Sequence, residues 1–302
     1  MKLLVTGSTG MLGPSLCRLA SQKGYRVVGL SRGSHPRPLF TNEQHLKRDL
    51  CSQEEVLGTI RAEKPDVILH TAAVADVDLC EQDPALAEAV NAAGTSLVAQ
   101  GAKETDALLC YVSTDYVFDG TSPTSYREGD SKRPLNVYGK IKLKGEKSVQ
   151  DQVSAHYVVR TSWLFGEGHD SFVHHVLKWA QTKPELRLVE DKWCVPSYTC
   201  DVASGILALL EKKPSYGIYH LTNGGEGCSW YHYGREILNQ AGFNRLKVFP
   251  MTLRELNLTA PRPPMTILNT ERFQHRVMAM RDWRKALGEY LETIVSLPRR
   301  NR

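Results

Sequence analysis

Tyr138 and Lys142 stand four residues apart in "NVYGKIKLKGE", downstream of "YVSTDYVF" (111–118) and of an N-terminal "VTGSTGMLG" (5–13). Residues four apart on a helix share a face, so the phenol and the ammonium would point the same way. A tyrosine with its free pKa of ~10 is a reluctant proton partner at neutral pH. A nearby ammonium favours the phenolate and lowers that pKa. Lys142 can do this and can also hydrogen-bond a nicotinamide ribose. Lys140 and Lys144 lie roughly 160° around the helix from Lys142, at ~100° per residue, and read as a solvated face. Ser113 and Thr114 end a strand that would open on the same cleft, where a hydroxyl can hydrogen-bond a substrate carbonyl and align it. Together these residues suit the reduction of a ketone, with hydride added at carbon and a tyrosine proton at oxygen.

That chemistry needs a hydride source, and the start of the chain offers a place for one. Gly7, Gly10 and Gly13 form GxxGxxG around Met11 and Leu12, directly after an apolar run. Such a turn lets backbone approach a pyrophosphate with no Cβ in the way, and the following helix N-terminus favours the phosphate charge. Arg32, preceded by Ser31, ends the second strand. NAD-selective sites usually offer a carboxylate to the ribose hydroxyls there, whereas a hydroxyl and a guanidinium suit a 2′-phosphate. NADPH is therefore the expected cofactor, with NADH left open. Arg37 and Lys47 or Arg48 are candidate helpers. Asp49 and Leu50 in "KRDL" fall where an adenine ring meets the next strand–helix loop; Asp49 would accept from the exocyclic amine or serve as a plain N-cap. Ala72 and Ala73 in "HTAA" let the chain run close to the cofactor ribose, and His70 reads as a buried structural histidine.

The elements that must position these groups follow from periodicity. Residues 2–6, 26–32, 66–73, 107–114 and 157–166 read as strands, with helices between them near Gln53–Glu63 and 84–103. Strands alternating with helices predict a parallel sheet with right-handed crossovers. Beyond 166 the pattern loosens. Helices are expected over 171–181, 201–212, 229–242 (Ser229 as N-cap, Gly242 as stop) and about 282–296, with a strand over 186–191 and an ordered proline-rich loop over 260–268. The expected class is α/β: a Rossmann-type doubly wound parallel sheet with a smaller α/β substrate-binding domain. Residues 1–160 would hold the cofactor and the Tyr/Lys pair. Residues 161–302 would mainly hold the substrate, with some segments free to return to the first domain.

Composition narrows the class further. The 302 residues, 41% hydrophobic and 24% charged, suit a soluble globular protein with a sizeable core. A net charge of +5, three charges of it in the tail 298–302, suits an anionic small substrate better than nucleic acid. Seven cysteines without a CxxC pair point to reduced thiols and a cytoplasmic location. No metal site is expected, since Cys194 and Cys200 have no nearby His. Polar residues interrupt the N-terminal apolar run at once, and no stretch approaches the ~20 apolar residues of a membrane span, so neither a signal peptide nor a membrane partner is expected.

With these motifs in order, the chain resembles the extended short-chain dehydrogenase/reductase superfamily, and within it the dTDP-4-dehydrorhamnose reductases, over nearly its whole length. The resemblance rests on "VTGSTGMLG", "DVDLCE" (76–81), "VNAAG" (90–94), "STDYVFDG" (113–120), "PLNVYGKIKLKGE" (134–146), "RTSWLFG" (160–166), "GIYHLTNGG" (217–225), "SWYHYG" (229–234) and "APRPPMTILNTERF" (260–273). It implies a catalytic group of Thr114, Tyr138 and Lys142. Asp115 would approach the sugar, and Trp163 would pack against the sugar ring. It also implies NADPH-dependent reduction of the 4-keto group of dTDP-6-deoxy-L-lyxo-4-hexulose to dTDP-L-rhamnose. A homodimer is compatible with it. Three places depart from the family pattern: Val74-Ala75, Lys192-Trp193-Cys194 (for a Gln-x-Gly) and Pro264-Met265-Thr266. Lys192 or Arg262 is a candidate contact to a diphosphate. Two alternatives stand beside this reading: a reductase or synthase for another NDP-4-keto sugar, and a non-catalytic NADP-binding subunit resembling that of methionine adenosyltransferase. A C4 epimerase fits "RTSW" and "APRP" less well.

Overall fold

The computed structural model describes residues 1–33 and 41–295. It opens with β1 (Lys2–Thr6), whose Leu3, Leu4 and Val5 are fully buried, as a strand covered on both faces requires. There follow α1 (Gly13–Gln22), β2 (Arg26–Ser31), β3 (Glu43–Lys47), α2 (Gln53–Glu63), β4 (Val67–His70), α3 (Val77–Gln82), α4 (Pro84–Glu88) and α5 (Gly94–Glu104). Next come β5 (Leu108–Thr114), α6 (Val137–Gln152), β6 (His156–Thr161), β7 (Leu164–Phe165), α7 (Phe172–Thr182), β8 (Glu185–Val189), β9 (Trp193–Cys194) and β10 (Ser197–Tyr198). The chain closes with α8 (Thr199–Lys212), β11 (Gly217–His220), β12 (Cys228–Ser229), α9 (Trp230–Gln240), β13 (Lys247–Met251), α10 (Glu271–Arg276) and α11 (Trp283–Val295).

Seven strands form one sheet in the order β11-β6-β5-β4-β1-β2-β3, parallel throughout. Successive strands step outward from β1 in both directions, so the order reverses between β1 and β4, and a crevice opens at their carboxyl ends. Leu16 of α1 and Ile206 of α8 pack on one face of the sheet; Val56 of α2, Val98 of α5 and Val149 of α6 pack on the other. A second core gathers Phe165, Tyr198, Tyr233, Trp283 and Tyr290 among α7, α9, α11 and the parallel pair β8–β13. Late segments also build the main sheet: β11 pairs with β6, and α8 joins the cluster around α1.

Several elements differ from the sequence expectation. β3 ("EQHLK") is an edge strand without an apolar run, so periodicity does not reveal it. The expected strand over 157–166 breaks after Thr161, because Trp163 takes a left-handed backbone (φ 44°). The expected helix over 84–103 is interrupted by a π-helical turn, Ala89–Ala93. The short elements α3, β11, β13 and α10 were also not anticipated. Arg37, Ser296 and the basic tail 298–302 lie outside the described residues.

Candidate active site

The glycine turn leaves β1 at the crevice. Gly7 has φ +69°, and a Cβ there would lie 2.7 Å from Ala72 Cα. Gly13, the first residue of α1, sits under the turn, where a Cβ would come within 2.1 Å of Gly7 O. These contacts explain the glycines by backbone packing alone. Gly10, Met11 and Leu12 line a cleft of about 710 Å3. Arg32 and Arg48 line its outer end, beyond Ser31. Arg48 donates Nε to Thr59 Oγ1 (2.8 Å). Asp49 and Leu50 line the same end, where Asp49 Oδ1 accepts from Cys51 N (3.0 Å) and Ser52 caps α2. A glycine-containing turn at the start of α1, with two guanidiniums in the same cleft, fits a dinucleotide carrying a 2′-phosphate.

The floor of the cleft is held rigidly. Ala72 and Ala73 line it after β4. Asn91, in the π-helical turn, accepts from Val74 N (2.7 Å) and donates to Val74 O (2.9 Å), which fixes the course of that segment. Such turns recur at functional sites because they redirect a side chain within a helix. His70 is fully buried between Thr6 Oγ1 (2.6 Å) and Thr95 Oγ1 (2.9 Å). Burial pulls its pKa down to about 3, so it stays neutral.

Tyr138 and Lys142 lie on one face of α6, and both line the cleft beside Thr114 and Asp115. Asn136 caps the helix by accepting from Gly139 N (2.8 Å), and its Nδ2 donates to Pro261 O (2.9 Å), so the proline-rich loop is tied to the start of α6. Gly139 presses on the turn that carries Asp115, where a Cβ would lie 2.2 Å from Tyr116 O. Lys142 Nζ donates to Val112 O (2.8 Å) and sits 4.1 Å from the centre of the Tyr111 ring. Beneath it, Glu146 accepts from Ser113 Oγ (2.6 Å) and forms a buried pair with Arg160 (2.6 Å). Ser113 is thereby committed to Glu146, and Thr114 presents the hydroxyl nearest Tyr138.

The electrostatics of the pair differ from the simple expectation. Burial pushes the Tyr138 pKa well above its ordinary value, and only the hydrogen bond with Thr114 opposes it. Burial also pulls Lys142 down to about 7, against the opposing charge of Glu146. In so dry a cleft, desolvation outweighs the attraction that would otherwise lower the phenol. The phenol therefore holds its proton at neutral pH, which suits an acid better than a base.

At the other end of the cleft stands Trp163, whose ring meets Tyr233 (4.7 Å) and Phe172 (5.2 Å). Arg262 is not among the lining residues: its guanidinium is paired with Asp78 (2.8 Å) and donates to Ala260 O. Lys192, in contrast, lines the cleft and is almost fully buried. Sequence reasoning did not single out Thr161 or Ser162, which also line it; Thr161 Oγ1 is buried without a hydrogen-bond partner. Their position at the end of β6, level with Thr114, was the available signal.

Comparison with known proteins gives the family. Residues 1–296 match the family model described as "RmlD substrate binding domain". The chain is 34% identical to the spore coat polysaccharide biosynthesis protein SpsK of Bacillus subtilis (strain 168), over 96% of this chain and 97% of that one. It is 35% identical to a dTDP-4-dehydrorhamnose reductase of Streptomyces griseus, over 95% and 91%. A dTDP-4-dehydrorhamnose reductase from Bacillus anthracis str. Ames, solved in complex with NADP, superposes with a TM-score of 0.87 at 28% identity, covering 97% of this chain and 99% of that one. On sequence and fold together, the chain belongs to the RmlD substrate-binding-domain family, among dTDP-4-dehydrorhamnose reductases and their relatives.

Proposed function

We propose that this protein is an NADPH-dependent reductase of the 4-keto group of a nucleotide-linked deoxysugar, converting dTDP-6-deoxy-L-lyxo-4-hexulose to dTDP-L-rhamnose. The observation that carries the reading is the meeting of Tyr138, Lys142 and Thr114 in the same cleft as the glycine turn, with an aromatic wall at its far end. The relatives' names point to the same sugar. NADPH, when bound, supplies the hydride. Gly7, Gly10, Met11, Leu12 and Gly13 would hold its pyrophosphate, Arg32 its 2′-phosphate, Asp49 and Leu50 the adenine, and Ala72, Ala73 and Lys142 the nicotinamide ribose.

The chain's own residues would then do the rest. Trp163 stacks on the sugar ring and Thr114 orients it. Tyr138 gives its proton to the carbonyl oxygen as that oxygen gains charge. Lys142 favours the resulting phenolate. Arg262 reaches a diphosphate only by exchanging Asp78. In this reading residues 1–160 supply the cofactor site, and residues 161–302, apart from β11 and α8, supply most of the substrate site. No helix among the described residues is long and apolar enough to cross a membrane, and reduced thiols support a cytoplasmic setting.

One observation favours a second reading, reduction of another NDP-4-keto sugar: a buried lysine, Lys192, stands at the substrate end. The test is NADPH consumption with each keto sugar generated enzymatically and the product read by sugar NMR. Conversion of the dTDP-linked hexulose supports the first reading, and conversion only of a different sugar supports the second. NADPH binding without turnover of any sugar would leave the regulatory-subunit alternative.

A further inference from the structure

Two loops far apart in sequence meet behind the catalytic turn. The segment leading into β9 runs beside residues 264–266, with Trp193 N donating to Pro264 O (2.7 Å) and Thr266 N donating to Trp193 O (2.9 Å). This zipper links Lys192 to Asp115 through one hydroxyl. Lys192 Nζ donates to Thr266 Oγ1 (2.7 Å), and the Thr266 hydroxyl donates to Asp115 Oδ2. Lys192 and Asp115 both line the cleft. Lys192 is 1% exposed, about as buried as Lys142 (2%) on the same cleft.

The surroundings leave that ammonium underused. It carries three N–H donors and no acceptor. Thr266 takes one, and the Tyr116 ring, 5.2 Å from Nζ, offers only its π face. Buried donors without partners are costly, so the cleft is short of an acceptor at this point. Trp163, Cys194 and Trp230, which line the same end, are poor acceptors.

We propose that Lys192 is a specificity-determining residue: together with Asp115 it reads a hydroxyl on the sugar carbon next to the reacting carbonyl. The inference rests on the reductase reading and deepens it. The Thr266 hydroxyl shows the arrangement, since it accepts from the ammonium and donates to the carboxylate. A sugar hydroxyl on the cleft side does the same, turning its oxygen to Lys192 and its proton to Asp115. Asp115 directly follows Thr114, which is hydrogen-bonded with Tyr138, so this pair stands beside the carbonyl rather than at the diphosphate. Of the two carbons flanking C4 in a 6-deoxy-4-hexulose, C5 bears the methyl group and C3 a hydroxyl. The methyl would leave the ammonium and the carboxylate unpaired, so C3 is the carbon that is read. A hydrogen at C3 leaves donors without a partner. An ammonium group at C3 is rejected too, because Lys192 cannot accept from it and repels its charge.

The test compares wild type and Lys192→Met on the 4-keto sugar and on its 3-deoxy and 2-deoxy analogues, with NADPH. Wild type should lose about 10–100-fold in kcat/KM on the 3-deoxy sugar, the worth of one hydrogen bond to a charged group, and much less on the 2-deoxy sugar. Lys192→Met should lose a similar factor on the parent sugar and little on the 3-deoxy sugar, so that the preference for the 3-hydroxyl collapses. If Lys192→Met does not fold, Lys192→Gln, shorter and uncharged, should reduce the same preference. A role in packing, or a contact with the diphosphate that all three sugars share, would lower all three rates alike and overturn the proposal. A wild type indifferent to the 3-hydroxyl, or sensitive to the 2-hydroxyl instead, would also overturn it. If wild type reduces no 4-keto sugar, the reductase reading fails by itself. Calorimetric binding of dTDP-L-rhamnose and its 3-deoxy analogue to wild type and variant then decides the role of Lys192: a 3-hydroxyl preference lost in the variant supports it, and equal affinities or no binding overturn it.

Discussion

Tyr138 is where dryness, not a neighbouring charge, sets the chemistry. Burial keeps the phenol protonated, so it is loaded as an acid for the reducing direction. Replacing Tyr138 by Phe should lower kcat by roughly 10²–10⁴-fold while leaving NADPH affinity nearly intact, as read by steady-state rates and fluorescence titration of the cofactor. An unchanged rate would remove Tyr138 from the mechanism. In the proposed reading, Arg32, which lines the cleft, carries the cofactor preference. Arg32→Ala should weaken NADPH about tenfold, the worth of one charge-assisted contact, and NADH hardly at all; equal losses would refute a phosphate role. At this scale the sequence was informative, because Tyr138, Lys142 and the glycines carry meaning in their type and spacing. Lys192 was harder to place, since its significance lies in burial and in a partner 74 residues away.

Among the elements, α6 holds the site together. Its glycines allow close approach: Gly139 to the turn bearing Asp115, and Gly145 to Tyr111, where a Cβ would lie 2.4 Å from the hydroxyl. Because the neighbour of Gly139 is backbone, Gly139→Ala must displace the helix. A shift of ~1 Å at Tyr138 would cost about 10²-fold in turnover, which kcat would report with secondary structure unchanged by circular dichroism. Below Lys142, the buried pair Glu146–Arg160 ties α6 to β6. Arg160→Met leaves the Glu146 carboxylate buried without its partner and should cost about 3–5 kcal/mol of stability, measured by urea unfolding; a cost near zero would mean that water reaches Glu146. Regular elements such as α9, with its Ser229 cap, were legible from caps and periodicity, whereas α2 is capped by Ser52 and not by Asp49. The break at Trp163 and the π-helical turn were not, because local pattern does not encode the tertiary contacts that hold Trp163 left-handed and direct Asn91 onto Val74.

At the scale of the whole molecule, one crevice serves both halves of the chemistry. The reversal of strand order between β1 and β4 opens it, and β5, β6 and the loops after them extend it to the aromatic wall at Trp163. The parallel α/β class followed from alternation along the first 160 residues. Two of the seven strands did not: β3 has no apolar run, and β11 is four residues long and joins the sheet from a distant part of the chain. The end of the cleft proposed for substrate was the least legible, since Ser162, Trp163, Lys192, Cys194 and Trp230, which line it, come together only in three dimensions. The most direct test of the account is to supply NADPH deuterated at the transferable position with dTDP-6-deoxy-L-lyxo-4-hexulose and locate the label in the product by NMR. The account predicts dTDP-L-rhamnose carrying deuterium at sugar C4. Absence of turnover, or label at any other carbon, would contradict it.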